Sequence, residues 1–102
     1  RATLWSNADY FRTQAQLIGL HTGESETYVV PLVVGERRGL LYELGNELRR
    51  RGLFLAPVDF PSVPQDQVRF RASITAAHTR ADLDEALNIL EDVMVPALRA
   101  RA

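Results

Sequence analysis

The sequence predicts an α+β domain: a small antiparallel or mixed sheet of about three strands, with helices mainly on one of its faces. Two patterns in the 102 residues support this prediction. Three segments repeat apolar residues at spacings of three and four, as on one side of a helix. Three shorter segments are either continuously apolar or alternate between apolar and polar residues, as strands do. A chain of this length forms one core, so we expect a single domain over residues 1–102.

The first predicted helix begins near Leu4 and ends at Gly19. Its apolar row consists of Leu4, Ala8, Phe11, Ala15 and Ile18. Trp5, Tyr10 and Leu17 lie outside this row. A helix with large apolar groups on a second side usually has a second partner, so we expect these three side chains to form an apolar surface that makes the isolated chain self-associate.

A loop and a strand follow. Residues 21–27 are polar and contain Gly23, which predicts a loop. The apolar run from Tyr28 to Val34 suits a strand that is covered on both faces. Pro31 cannot donate a ladder hydrogen bond, so this strand is expected at a sheet edge or a bulge.

The second predicted helix runs from Glu36 to Arg51. Its apolar row consists of Leu41, Leu44 and Leu48. The arginines at 49–51 complement the negative end of the helix dipole, and Gly52 supplies a left-handed cap. The arginines could also contact nucleic acid, but the net charge of −1 and the capping role favour the structural interpretation.

The second half of the chain contains two strands and a helix. Leu53 to Val58 predicts a short strand that Pro57 closes, and the residues 59–64 form a stiff, proline-containing connection. From Gln67 to Thr75 apolar and polar residues alternate strictly, which predicts a strand with one buried and one polar face. Thr79 stands at the N-cap position of the last helix. The apolar row of that helix consists of Leu83, Leu87, Leu90, Met94 and Leu98, and Pro96 is expected to fray its last turn.

Composition narrows the possible functions. Hydrophobic residues make up 46% and charged residues 25%, as in soluble globular domains. The net charge of −1 gives no overall attraction for nucleic acid, and the longest apolar run is too short to span a membrane, so neither partner is expected. The absence of cysteine fits a cytoplasmic protein. All twelve basic residues are arginine, so no lysine is available to form a Schiff base.

Common catalytic and metal sites are not indicated. The two histidines, His21 and His78, lie on different segments, so no metal site is expected. A hydrolytic triad of Ser73, His78 and Asp82 is conceivable, but no nucleophile elbow surrounds the serine. The glycines do not form a nucleotide-binding motif.

Arg69 and Arg71 are the remaining candidates. The alternation places both side chains on the polar face of one strand, just after the proline connection. A guanidinium group pairs with a carboxylate through two parallel hydrogen bonds. The pattern by itself suits a carboxylate site and an ordinary solvated strand face equally well.

Two stretches resemble a known family. Residues 60–64 read Phe-Pro-Ser-Val-Pro, and residues 68–79 read Val-Arg-Phe-Arg-Ala-Ser-Ile-Thr-Ala-Ala-His-Thr before an acidic helix start. With the strand at 28–35 and the turn at 51–54, they resemble the C-terminal domain of the α-oxoamine synthases, which are fold-type I pyridoxal-phosphate enzymes.

The resemblance implies roles for particular residues. Arg71 matches the arginine that binds the α-carboxylate of the amino-acid substrate, and Pro61, Val63 and Pro64 match a loop at the substrate entrance. Asp59 departs from the family, in which several members have an arginine. The cofactor lysine belongs to a large domain, so the resemblance implies pyridoxal phosphate in the intact enzyme, none bound by this chain alone, and no catalytic residue here.

The resemblance also implies a function. The chain is expected to be the small C-terminal domain of an enzyme that decarboxylatively condenses an amino acid with an acyl thioester of coenzyme A or a carrier protein. Its partners are its own large cofactor-binding domain and a second copy in a homodimer, and the chain alone is inactive. Two alternatives stay open: the small domain of another class I/II aminotransferase-like enzyme, and a stand-alone binding or regulatory module on the same scaffold.

Overall fold

The elements follow the predicted order. The computed structural model describes residues 2–24 and 28–100. The described elements are α1 (Ala2–Leu17), β1 (Val29–Gly35), α2 (Arg38–Arg50), β2 (Ala56–Val58), β3 (Val68–Ser73) and α3 (Arg80–Arg99). The prediction of an α+β fold with a small antiparallel sheet is confirmed. Part of the predicted loop, residues 25–27, lies outside the described residues.

The strand with alternating residues is the centre of the sheet. The strands are arranged β1-β3-β2, and β3 is antiparallel to both neighbours. Pro31 in β1 and Pro57 in β2 therefore lie on edge strands, where a missing N–H is tolerated. The expectation of an edge position for Pro31 is confirmed, and β1 also contains a register irregularity between Val33 and Gly35.

The helices form a layer on one face of the sheet. Both α1 and α2 contact the sheet, and α3 packs against α1 and α2. The largest completely buried side chains are Phe70, Leu32, Leu41, Leu48, Leu90, Met94, Val30 and Val68. They come from both edge and central strands and from two helices, so the core lies between the sheet and the helix layer.

The helix ends show why the segments turn where they do. Gly52 has a φ of 91°, and Leu53 N–H donates to the carbonyl of Leu48, as expected for a left-handed C-cap. Thr79 caps α3 through a reciprocal capping box with Asp82. The expected fraying at Pro96 is wrong: α3 continues to Arg99.

Arg37 explains the ordered end of α3. Its guanidinium donates to the carbonyls of Ala97 at 3.2 Å, Leu98 at 3.3 Å and Ala100 at 3.0 Å. These carbonyls lie in the last turn, where a helix has no further N–H groups to offer. A long-range contact therefore stabilises the last turn of α3, which follows Pro96.

Two further expectations need correction. The strand predicted at Leu53 to Val58 is shorter, because Leu53 is still bound to the end of α2 and pairing with β3 begins only at Ala56. On α1, Trp5 and Leu17 are exposed at 45% and 73%, as expected for an open apolar surface. Tyr10 is half-buried instead and donates to the carboxylate of Asp84, which raises the pKa of Tyr10.

No described helix is long and apolar enough to cross a bilayer.

Candidate functional site

Arg71 lies in the middle of the open face of the sheet. Its register partners are Pro31 on β1 and Ala56 on β2, so it is flanked by two small apolar side chains on the same face. Arg71 is exposed, and its side chain has no hydrogen-bond or ion-pair partner within residues 2–24 and 28–100. The expected position is thus confirmed, and the guanidinium is available to a ligand or to another part of a protein.

Arg69 differs from Arg71, although it is on the same face. Its Nε donates to the carbonyl of Gln67 at 2.9 Å, and its Nη2 donates to Oε1 of the same residue at 3.2 Å. The loop that follows α1 also approaches it, since a Cβ at Gly23 would lie 3.2 Å from Pro31 Cγ and 4.0 Å from Arg69 Nη1. These contacts leave the Arg69 side chain half-buried, whereas the Arg71 side chain on the same face is exposed.

A cleft borders Arg71 on the β2 side. Because β2 pairs with β3 only as far as Ala56, the residues 53–55 diverge from the central strand. The gap is a cleft of about 440 Å³, with Arg71 among its lining residues. Its deeper wall includes the buried residues Ile89 and Leu90 of α3. Arg71 is thus one of several charged groups beside a partly apolar cleft, since the carboxylates of Asp82 and Glu85 line it as well.

The connection between β2 and β3 is compact. Ser62 N–H donates to the Asp59 carbonyl at 3.0 Å, and Gln67 N–H donates to the Pro64 carbonyl at 2.9 Å. Of the residues predicted to form an entrance loop, Pro61 and Pro64 are exposed, and Val63 is half-buried against the core. The structure places them together on this connection and not in the cleft beside Arg71.

His78 has a structural role in the turn between β3 and α3. Its Nδ1 accepts a hydrogen bond from Thr75 N–H at 3.0 Å. The carbonyls of Thr75 and His78 both accept hydrogen bonds from the buried Asn7 side chain, at 3.0 and 2.8 Å. Asp82 serves the capping box, and its hydrogen bonds from Thr79 lower the pKa of its carboxyl. The conceivable triad of Ser73, His78 and Asp82 is therefore not assembled.

Sequence reasoning missed the role of Asn7. It is a buried polar residue, and it joins the first helix to a turn 68 to 71 residues later. Its only sequence signal is a polar residue next to the apolar row of α1. Because many exposed asparagines have that position in a helix, the sequence does not distinguish it.

Known proteins resemble the chain over most of its length. No family model matches it. It is 41% identical over 90 residues to 8-amino-7-oxononanoate synthase of Thermoanaerobacter pseudethanolicus, covering 88% of this chain and 22% of that protein. It is 44% identical over 89 residues to 4-hydroxy-2,2'-bipyrrole-5-methanol synthase of a Serratia species, covering 87% of this chain and 14% of that protein. The chain belongs to the α-oxoamine synthase family.

Solved structures of α-oxoamine synthases have the same fold. Serine palmitoyltransferase of Sphingomonas wittichii matches with a TM-score of 0.86 at 20% identity, over 96% of this chain and 25% of that chain. The 8-amino-7-oxononanoate synthase from Francisella tularensis matches with a TM-score of 0.76 at 17% identity, over 95% and 28%. The matching part is the C-terminal domain of these proteins. The chain spans only about 22% of the length of its Thermoanaerobacter relative.

The residues of this chain do not by themselves fit the cofactor of the α-oxoamine synthases. Solved serine palmitoyltransferase structures are described with pyridoxal phosphate, in one of them as its internal aldimine. That linkage needs a lysine amine, and the sequence contains none. In the part of the chain that the structure describes, no three His, Asp or Glu side chains form a group that could hold a metal ion.

Proposed function

We propose that this chain is the small C-terminal domain of a pyridoxal-phosphate-dependent acyltransferase, and that Arg71 binds the α-carboxylate of its amino-acid substrate. The intact enzyme joins the amino acid to the acyl group of a thioester and releases carbon dioxide and the free thiol. The observation that supports the role of Arg71 is its position: an exposed arginine on the central strand without an internal partner among the described residues.

The chemistry of Arg71 suits this role. Its guanidinium can donate two parallel hydrogen bonds to one carboxylate, which fixes the orientation of the bound molecule as well as its charge. The central strand holds the Cα of Arg71 between two paired neighbours, so the group is placed more firmly than on a loop. This chain thus contributes binding and orientation.

The rest of the enzyme supplies the remaining parts. The cofactor and its lysine belong to a large domain. The cofactor supplies the electronic chemistry at the amino acid. We further propose that Pro61, Val63 and Pro64 border the substrate entrance, that the intact enzyme is a cytoplasmic homodimer, and that its acyl donor is a thioester of coenzyme A or a carrier protein. The isolated chain is inactive, because it lacks lysine.

The alternative functions are less well supported. Relatives with 36% to 44% identity are named as synthases, which favours an α-oxoamine synthase over another aminotransferase-like enzyme. A stand-alone module without catalysis requires a protein that lacks a large domain with a Schiff-base lysine. The coding sequence around this segment decides between these possibilities.

The test is kinetic and uses the full-length protein that contains this chain. Arg71→Ala should raise the amino-acid KM by about 10- to 150-fold, with cofactor absorbance retained, because a charge-assisted contact is lost. Arg71→Lys should recover part of the affinity, since it keeps the charge and loses the planar fork. Arg69→Ala is the matched control from the same strand face and should change this KM much less. Equal effects of the two alanine variants would argue against the assignment.

A further inference from the structure

Asp59 is the centre of a hydrogen-bonded cluster between α2 and the start of the β2–β3 connection. Arg38 donates to both carboxylate oxygens, from Nε to Oδ1 at 2.8 Å and from Nη2 to Oδ2 at 3.2 Å. Tyr42 Oη donates to Oδ2 at 2.6 Å, and Phe60 N–H donates to Oδ1 at 2.7 Å. The Arg38 guanidinium also lies 5.8 Å from the centre of the Phe60 ring. The Asp59 carboxylate thus connects the side chains of Arg38 and Tyr42 on α2 to the backbone at the start of the loop.

This cluster differs from a simple ion pair such as that of Arg51 and Asp92. The Asp59 side chain is only 15% exposed, and the hydrogen bonds from Arg38 and Tyr42 lower the pKa of its carboxyl to about 2. By contrast, Arg51 and Asp92 make one contact of 3.1 Å, and the Asp92 side chain is 61% exposed. Exposed ion pairs of that kind contribute little to stability. A carboxylate with a bidentate arginine and further hydrogen bonds holds the groups around it in a fixed geometry.

The cluster fixes a part of the sheet that is otherwise weakly held. Strand β2 has only three residues, is an edge strand and includes Pro57, which has no N–H for the ladder. The helix to which Asp59 attaches it is firmly anchored, since Leu41 and Leu44 of α2 are buried. At the other end of β2, Ala56 lies beside Arg71. The position of Asp59 therefore affects both the proline connection and the flank of the arginine site.

We propose that Asp59 is a positioning residue, which holds β2 and the connection with Pro61, Val63 and Pro64 in the arrangement that amino-acid binding at Arg71 requires. This inference rests on the proposed function. Asp59 does not touch the substrate. It acts through the loop and through the strand that flanks Arg71, so its loss affects binding of the amino acid more than turnover.

The experiment compares Asp59→Ala, Asp59→Asn and Tyr42→Phe in the full-length protein. Asp92→Asn is the matched control, because it removes a carboxylate charge from an ion pair with another arginine, away from the loop. Hydrogen exchange of the peptide 59–67, followed by mass spectrometry, reports whether the connection is released. The amides of Ser62 and Gln67 are informative, because they donate to backbone carbonyls and not to the altered carboxylate.

We expect Asp59→Ala to accelerate exchange in this peptide by roughly tenfold and to raise the amino-acid KM about 3- to 10-fold with little change in kcat. Asp59→Asn and Tyr42→Phe keep part of the cluster and should lie between this variant and the unaltered protein. The Asp92→Asn control should change neither quantity. If Asp59→Ala does not fold, the same measurements on Asp59→Asn and Tyr42→Phe test the proposal.

Each outcome is decisive. Unchanged exchange in all three variants would show that the Asp59 cluster does not hold the connection in place. Faster exchange with an unchanged amino-acid KM would overturn the positioning role, while the kinetic effect of Arg71→Ala would still support the proposed function. If Arg71→Ala also leaves that KM unchanged, the proposed function fails separately. The exchange data then still show whether the Asp59 cluster holds the connection in place.

Discussion

The two faces of the central strand β3 are constructed differently. On the inner face every side chain is buried; these residues are Val68, Phe70 and Ala72, continued by Ile74 just beyond the strand. On the outer face Arg69 is tied to Gln67, and Arg71 is exposed without a partner among the described residues. The inner face is thus packed within the domain, whereas Arg71 on the outer face is exposed, and the proposed function assigns it to a ligand. Stability and binding are therefore expected to be separable along one strand.

Truncation of the inner face should have the largest effect. Phe70 is completely buried, so Phe70→Ala removes an aromatic side chain and leaves a cavity. We expect the free energy of unfolding to fall by about 3–5 kcal/mol, measured by urea denaturation. Arg71→Ala, at the next position, should change it by less than about 0.5 kcal/mol. Similar losses for the two variants would mean that the faces are not separable.

A third type of position sharpens this comparison, because Thr79 is exposed and yet structural. It caps α3 just after β3 ends, through the capping box with Asp82. Thr79→Ala should lower the free energy of unfolding by about 1 kcal/mol, as measured for N-cap residues. Thr13→Ala, at an exposed position inside α1, is the control and should cause no loss. Equal results for both threonines would remove the capping role.

The Asp59 cluster predicts a smaller, pH-dependent effect. Because the pKa of Asp59 is lowered to about 2 in the folded chain, below the ordinary value near 3.9, its contribution to stability is present above about pH 4 and is lost as the pH falls toward 2. The unfolding midpoint of the unaltered chain should exceed that of Asp59→Asn at pH 7. The difference should shrink between pH 4 and 2, and a difference independent of pH would contradict this account.

The smallest effect is expected at the apolar surface of α1. Trp5 is exposed and contacts the ring of Tyr28 edge-on, with ring centres 6.4 Å apart, and Leu17 is exposed as well. We expect weak self-association of the isolated chain at high concentration, which sedimentation velocity measures. The double variant Trp5→Ser, Leu17→Ser should reduce it. A strictly monomeric unaltered chain would contradict the expectation.

The sequence predicts the features that depend on local periodicity. Alternation along β3 and the apolar rows of α2 and α3 identify the buried residues, and Gly52 and Thr79 mark helix ends by local chemistry. The position of Arg71 on the outer face follows from the same alternation.

The features that the sequence does not predict depend on contacts between distant segments. The late start of β2 is set by where it pairs with β3, and the bond between Tyr10 and Asp84 and the capping of α3 by Arg37 join residues far apart in the chain. The Asp59 cluster is of the same kind, since Arg38 is 21 residues away. No local pattern contains this information, because such contacts exist only after the elements have packed.

The most direct test of the account is the affinity of the full-length protein for an amino acid, measured together with its thermal stability. Glycine, L-alanine and L-serine are titrated without an acyl donor into the unaltered protein and into Arg71→Ala. For the amino acid that binds, we predict a Kd increase of about 10- to 150-fold, with the melting temperature nearly unchanged. An unchanged Kd, or a loss of affinity that accompanies a large fall in melting temperature, would contradict the claim that the outer face of β3 serves binding and not folding.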